Sequence, residues 1–274
     1  MRAAGISAIP ATRWRHLLTF AAACAALLVV LGLATRSGGY TMPDVRAYWS
    51  AWHGGLYGAI PALDRTLYIY PPPLAQAILP LTWLPWPAFA GLWLASCAGA
   101  LWWMLQPIVM PTRVPVTLAL LLASGGNSSV LLALAIASRR PAAWAFPLLT
   151  KVTPGIGILW YAVRREWRAL ALALGTTGVI AGLSVGLAPD LWAHWVAVVR
   201  ADSAHYGGIV AYPLPAVPLL IRGVAAAAIV AWGARTNRAW TLALAALLAS
   251  PDILLSSVPL LAAVPRLAVR RHPD

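Results

Sequence analysis

The sequence predicts an all-α protein, a polytopic bundle of transmembrane helices of which several are broken or re-entrant. Hydrophobic residues make up 61% of the chain and charged residues only 10%, against about 45–50% and about 25% in soluble domains. Apolar runs are separated by small arginine clusters and interrupted by Gly, Pro, Ser and Asn. One soluble core could not bury this much apolar surface. We therefore exclude a cytosolic enzyme, a disordered chain and a disulfide-rich secreted domain, and expect one integral membrane domain over residues 1–274.

The first apolar run, residues 17–34, follows several arginines, which places the N-terminus in the cytoplasm. A cleaved signal peptide is the alternative, but apolar runs continue to the C-terminus and favour an uncleaved span. Residues 35–70 then form an external loop with a short helix along the membrane surface. Runs 74–84 and 88–105 follow, with Trp83 and Trp86 at their turn as an aromatic belt would supply.

Later apolar runs are broken: 114–138 by residues 124–129, 141–163 by 151–154, and 239–264 by 250–252. In the last two, each half is about 15–18 Å of helix, half a bilayer. Treating both as re-entrant pairs places 13 of the 19 arginines in the cytoplasm, as the positive-inside rule requires. If run 114–138 also folds back, every later loop changes side. Irregular backbone at membrane depth needs burial or a watery cavity, so the breaks predict one polar interior cavity.

A second external segment, residues 188–213, separates the spans predicted over 170–187 and 214–232. It carries histidines at positions 194 and 205, whose spacing is no metal signature and which we expect in a solvated loop. His205 remains a candidate substrate-binding residue.

The net charge of +13 comes from 20 Lys and Arg against 7 Asp and Glu. No basic stripe with base-stacking spacing occurs, so we exclude nucleic acid as a partner and assign the charge to membrane topology and membrane lipids. Cys24 and Cys97 both lie within apolar runs, which excludes a disulfide and a metal site. No P-loop, GxSxG or HExxH motif supports an NTPase or hydrolase.

Asp44 is the candidate general base. It opens the predicted loop helix and shares one face with Tyr48 and Trp52 through i, i+4, i+8 spacing. A carboxylate near a membrane surface, next to Arg46, can remove a proton from an acceptor hydroxyl. The alternative is structural: Thr41 caps the helix and Asp44 sits at the third helical position, which favours any carboxylate.

Lys151 is the single lysine of the chain and lies inside an apolar run, about ten residues from either end. An ionisable group at membrane depth is a functional-site candidate by default, and this position is too deep for the side chain to reach the interface easily. A lipid phosphate or diphosphate is its natural partner. A structural ion pair with Asp252 is the alternative.

The order of these elements resembles glycosyltransferase family 87, polyprenyl-phosphate-mannose-dependent mannosyltransferases of the C-type membrane fold. The matching motifs are Asp44-x3-Tyr48, the segments 54–57 and 68–72, Gly126-Asn127, Lys151-x-x-Pro154, 164–168 and Ser250-Pro251. Each motif is weak, and their order and spacing carry the resemblance.

The resemblance implies inverting transfer of a hexose, usually mannose, from a polyprenyl-phosphate donor to a glycolipid or lipid-linked glycan, with no metal or cofactor. Asp44 would be the base, Lys151 would hold the donor phosphate, and Tyr70 would shape the donor channel. Tyr48, Arg46, Asn127 and Asp252 complete the predicted site. The chain would be a multi-pass plasma-membrane protein with its active site outside.

The sequence departs from the family in two ways. It is short by two or three spans, and Asp252-Ile253-Leu254 stands where members carry a Trp and then histidines. These departures favour a first alternative, an inactive relative that binds polyprenyl phosphate or glycolipid. A transporter or flippase is the second alternative, against which the chain shows no matching broken segments in repeated halves.

Overall fold

The computed structural model of the chain describes residues 11–36, 42–53, 56–57, 68–205, 217–251 and 253–269. These residues form helices and turns, and no strand occurs among them. The all-α prediction is therefore confirmed. Buried side chains from nearly every described helix join in one hydrophobic core.

The first four helices lie before the broken runs. They are α1 (Ala11–Arg36), α2 (Pro43–Ser50), α3 (Pro72–Thr82) and α4 (Trp86–Met104). Proline occupies the first turn of α2, α3 and α4, where its missing N–H removes no helical hydrogen bond. The turn between α3 and α4 lies next to α2, because the indole of Trp49 donates to the carbonyl of Leu84 at 2.9 Å. Runs 74–84 and 88–105 thus form the two helices that the sequence predicts.

Run 114–138 is not a single crossing but a hairpin of α5 (Met110–Ser124) and α6 (Ser129–Ala137). Both of its ends lie at one end of the bundle. Arg113 donates to the carbonyl of Gln106 at 3.0 Å, and the Gln106 side chain accepts from Arg266 at 2.7 Å. Arg139, just after α6, donates to the carbonyl of Arg266 at 3.2 Å. The chain reverses at Gly125 and Gly126, whose φ angles are +57° and +76°.

The second broken run also folds back. It comprises a 3₁₀ segment (Pro141–Trp144), α7 (Ala145–Leu148), the turn at Lys151, a second 3₁₀ segment (Thr153–Ile158) and α8 (Leu159–Val163). The indole of Trp144 donates to the Tyr161 hydroxyl at 3.2 Å. These two residues lie a few positions from the two ends of the run, so the ends are adjacent.

The third broken run pairs α12 (Thr241–Ala249) with a 3₁₀ segment (Leu255–Ala263) that continues into α13 (Val264–Ala268). Within the described residues, three hairpins therefore share one orientation. Their open ends carry arginines, and their tips point toward α2. The arginines near the open ends are Arg113, Arg139, Arg164, Arg235, Arg238 and Arg266.

The remaining helices are α9 (Trp167–Leu187), α10 (Pro189–His205) and α11 (Leu219–Arg235). Residues 189–205 were expected to belong to an external loop; they form a helix that begins with Pro189 and Asp190, a favourable start. Among the residues that the structure describes, two helices, α4 and α9, are long and apolar enough to cross a membrane by length and composition. Only 11% of the most apolar window of α9 is buried, so its apolar surface faces outward.

Candidate active site

The tips of the three hairpins meet beside α2. Asn127 lies at the first tip, Lys151 at the second, and Ser256 follows the third. The Ser129 hydroxyl donates to the carbonyl of Ser256 and joins the first tip to the third. The charge of Lys151 acts on the Tyr70 phenol, which accepts a hydrogen bond from Asn127. Three breaks that are far apart in the sequence therefore supply polar groups to one place.

Asn127 connects the carboxylate of α2 to this place. Its amide nitrogen donates to Asp44 Oδ1 at 2.9 Å and to the Tyr70 hydroxyl at 3.4 Å. Its amide oxygen accepts from the backbone N–H of Ser129 at 2.9 Å. Because one side of the amide must accept and the other must donate, the bond from Ser129 determines that the NH₂ group faces Asp44. Asn127 is thus an orienting partner of the carboxylate.

Two buried phenols lie on the inner side of Asp44. The Tyr48 hydroxyl donates to the Tyr70 hydroxyl at 3.2 Å and accepts from the backbone N–H of Ser128 at 3.0 Å. Burial raises the pKa of both phenols, and the Asp44 carboxylate raises it further. At Tyr70 the ammonium of Lys151 acts in the opposite direction, to a smaller extent than burial. Both side chains therefore remain neutral hydrogen-bonding groups at physiological pH.

Helix α2 positions Asp44 differently from the capping alternative. The residue before the helix is Met42, in a left-handed conformation with φ +46°, and no side chain caps the helix. Asp44 lies in the first turn and accepts a hydrogen bond from Asn127, 83 residues away. The inner face of α2 is buried, with Val45 and Tyr48 both 0% exposed. The helix that we expected along the membrane surface therefore packs one face against the bundle and leaves Arg46 exposed on another.

A strained turn presents Lys151, whose side chain is buried. Val152, the next residue, has φ +55° and ψ −62°, and the N–H of Thr153 donates to the carbonyl of Lys151 at 2.6 Å. These values define a γ-turn of the rare, strained kind, at a β-branched residue for which positive φ is an outlier. Such strain persists only where the surroundings impose it, and it is common at functional sites.

Gly126 allows α2 to approach the first tip. A β-carbon placed on Gly126 would lie 2.1 Å from Cγ2 of Val45, whereas one on Gly125 would meet nothing within 4 Å. Both glycines have positive φ, so an alanine at either position carries a similar backbone cost. Only an alanine at 126 also forces α2 away from the tip.

We expect Gly126→Ala to lower the free energy of unfolding by about 1–3 kcal/mol more than Gly125→Ala, through overpacking. The measurement is the thermal unfolding midpoint of each purified full-length variant in the same detergent. Equal shifts for the two variants would show that the contact between Val45 and the tip contributes nothing.

Not every predicted site residue joins this cluster. The guanidinium of Arg46 lies over the rings of Trp86 and Trp49, at 4.7 and 5.5 Å from their centroids. It is exposed, on a different side of α2 from Asp44. Asp252 and the side chain of His205 lie outside the described residues.

Sequence reasoning missed two supports of the site. The Tyr57 hydroxyl donates to the carbonyl of Tyr70 at 2.5 Å. Arg222 donates to the carbonyls of Ser250 and Pro251 at 2.7 and 2.8 Å, where α12 ends. An arginine inside the apolar run 214–232 was a signal that could have identified the second contact.

The fold and the site define an all-helical protein in which a carboxylate on α2 is bonded to one hairpin tip and a buried ammonium lies at another. The model of glycosyltransferase family 87 matches residues 68–273, most of the chain. The protein belongs to this family and is therefore a glycosyltransferase, which confirms the family resemblance of its motifs. The matched range includes Tyr70, Asn127 and Lys151, and α2 with Asp44 precedes it. No significant match was found among curated proteins or among solved structures.

Proposed function

We propose that this protein transfers a hexose, mannose in the first instance, from a polyprenyl-phosphate donor to a lipid-linked or glycan acceptor with inversion at the anomeric carbon. One observation carries the proposal. Asn127 donates to both Asp44 Oδ1 and the Tyr70 hydroxyl, and the buried ammonium of Lys151 is close enough to Tyr70 to lower the pKa of that phenol. A base and a cation in one neighbourhood are what a single displacement on a sugar phosphate requires.

The reaction balances with these two groups. The acceptor hydroxyl attacks the anomeric carbon on the face opposite the phosphate, and its proton passes to the Asp44 carboxylate. The bond between the anomeric carbon and the phosphate oxygen breaks, and its electron pair leaves with the polyprenyl phosphate. Lys151 stabilises the negative charge that develops on that oxygen. A single displacement inverts the anomeric configuration.

The neighbouring side chains support the two charged groups. Asn127 orients the Asp44 carboxylate through the 2.9 Å bond to Oδ1. The phenols of Tyr48 and Tyr70 stay neutral, since burial raises both pKa values. Because the Tyr48 hydroxyl donates to Tyr70, the O–H of Tyr70 is the one that can donate to a sugar or phosphate oxygen. Arg46, exposed over Trp49 and Trp86, is available to an acceptor approaching from outside.

We further propose that the bundle is a multi-pass protein of the plasma membrane with α2 and the hairpin tips toward the outside. The arginines near the open ends of the hairpins favour the cytoplasm for that end. The outward-facing apolar surface of α9 suits contact with lipid. Run 114–138 folds back as the α5–α6 hairpin and does not cross, which by itself would move every later loop to the other side. The α3–α4 turn lies beside α2, so α3 does not cross either. The two changes cancel, and those arginines stay on one side.

The donor class is tested with purified full-length protein in liposomes and radiolabelled polyprenyl-phosphate-mannose, with a membrane extract supplying acceptors. We expect label to move from the donor to a new product at least tenfold above liposomes that lack the protein and receive the same extract. GDP-mannose with the lipid donor depleted should support no transfer. Transfer from the nucleotide sugar alone would refute the lipid-donor proposal. A lipid and glycan profile of a deletion strain then identifies the acceptor.

A relative that only binds polyprenyl phosphate is the second candidate, favoured by Asp252-Ile253-Leu254 where members carry Trp and His. It predicts saturable binding of polyprenyl-phosphate-mannose in the same liposomes with no labelled product. The two candidates are thus separated by one assay.

A further inference from the structure

A second basic site lies at the end of the bundle opposite Asp44, among the open ends of the hairpins. It is a cavity of about 280 Å³ between the ends of α4, α6 and α13. The described residues that line it include two arginines and no carboxylate. They are Trp103, Pro107, Ala137, Arg139, Arg266 and Val269.

Arg266 is held rigidly at this cavity. Its guanidinium lies 3.7 Å from the centroid of the Trp103 ring. One nitrogen, Nη1, donates to the carbonyl of Trp103 at 3.2 Å and to the side chain of Gln106 at 2.7 Å. No described residue accepts a hydrogen bond from its Nε or Nη2. A guanidinium that is fixed against an aromatic ring and still has unused N–H donors can bind an anion without a large loss of side-chain entropy.

Arg139 adds a second positive charge and forms part of the wall. It has φ +56°, and its Nη2 donates to the carbonyls of Leu267 and Val269 at 2.7 and 3.0 Å. These bonds satisfy carbonyls at the end of α13 that have no helical partner. The arrangement holds two guanidinium groups against one small cavity.

The size and position of the cavity indicate which class of anion it can bind. A volume of about 280 Å³ is below the usual range of about 300–1,000 Å³ for drug-sized ligands, and suits a phosphate with a small substituent. In the proposed orientation this end of the bundle faces the cytoplasm, and basic pockets between helices on that side of membrane proteins bind phosphate headgroups. Pro107 and Val269 are exposed at its rim. We propose that this cavity binds the phosphate of an anionic phospholipid headgroup, independently of the sugar-transfer site.

The test uses the purified full chain in detergent micelles and native mass spectrometry with phosphatidylglycerol, phosphatidylcholine or inorganic phosphate. One arginine near an anionic lipid contributes about 1 kcal/mol, so we expect an approximately fivefold preference for phosphatidylglycerol over phosphatidylcholine. Arg266→Gln should reduce that preference to less than twofold. Arg168→Gln, an exposed arginine at the start of α9, is the matched control and should leave it unchanged.

Arg266→Lys keeps the charge and should keep at least half of the preference, which tests the proposal should the glutamine variant unfold. No preference in the wild type, or an equal loss in the Arg266 and Arg168 variants, overturns the proposal. Binding of inorganic phosphate that depends on Arg266 and competes with the lipid confirms that phosphate is the group recognised. Phosphate binding without lipid binding assigns the cavity to a free anion and overturns the lipid assignment.

Discussion

Replacing Asp44 with asparagine should lower the transfer rate by about 10²–10⁴-fold, the usual contribution of a general base. Asparagine has nearly the same shape and still offers an oxygen to the amide of Asn127, which lies 2.9 Å from Asp44 Oδ1. The hydrogen bond therefore survives while the proton acceptor is lost. The measurement is the initial rate of label transfer from radiolabelled polyprenyl-phosphate-mannose at saturating donor.

Two further variants separate catalysis from folding. Asp190→Asn removes an exposed carboxylate in the first turn of α10 and should leave the rate within twofold. Asn127→Ala keeps the Asp44 carboxylate but removes its orienting bond, so we expect a loss of about tenfold, within the range for partners that orient a functional group. An Asp44→Asn protein that retains full activity would remove Asp44 from the role of base and leave it a structural acceptor for Asn127.

The site residues that could be predicted are those whose helical spacing or chemistry is local. Asp44 and Tyr48 are four residues apart on a short helix. Asp44 accepts a hydrogen bond from Asn127 and Tyr48 donates one to Tyr70, and Asn127 and Tyr70 are themselves hydrogen-bonded. Arg46 was predicted to belong to the same site but lies over Trp49 and Trp86, and the reason is also local. Two residues along a helix is a rotation of about 200°, which turns its side chain away from Asp44.

The all-α fold class could be predicted from the sequence. Whether a long apolar run crosses once or folds back as a hairpin could not. A run of the length of 114–138 suits one span or a hairpin equally well. Contacts between the two ends of the run decide in favour of the hairpin. Arg113 and Arg266 both donate to Gln106, and Arg139, at the other end of the run, donates to Arg266, 127 positions away. The γ-turn at Val152 was equally hidden, because a positive φ at a β-branched residue follows from its surroundings and not from local preference.

Lys151→Gln should weaken binding of polyprenyl-phosphate-mannose by about 10–100-fold, since a hydrogen bond to a charged group contributes about 1.5–3 kcal/mol. The maximal rate should fall as well, because the charge on the leaving phosphate is largest in the transition state. Donor affinity is measured by titrating the lipid into liposomes that contain each variant, and the rate is measured at saturation. Lys151→Arg keeps the charge and should recover part of both quantities.

A structural pair between Lys151 and Asp252 makes different predictions for the same variants. Breaking a buried ion pair from either side destabilises a protein by about 3–5 kcal/mol, so Lys151→Gln and Asp252→Asn would lower the thermal unfolding midpoint alike. Replacing both together would then recover much of the loss. A phosphate anchor predicts that Asp252→Asn leaves donor affinity unchanged while Lys151→Gln reduces it. Unchanged donor affinity in a folded Lys151→Gln protein would assign the lysine to the ion pair. The buried ammonium beside Tyr70 would then need another explanation than the donor phosphate.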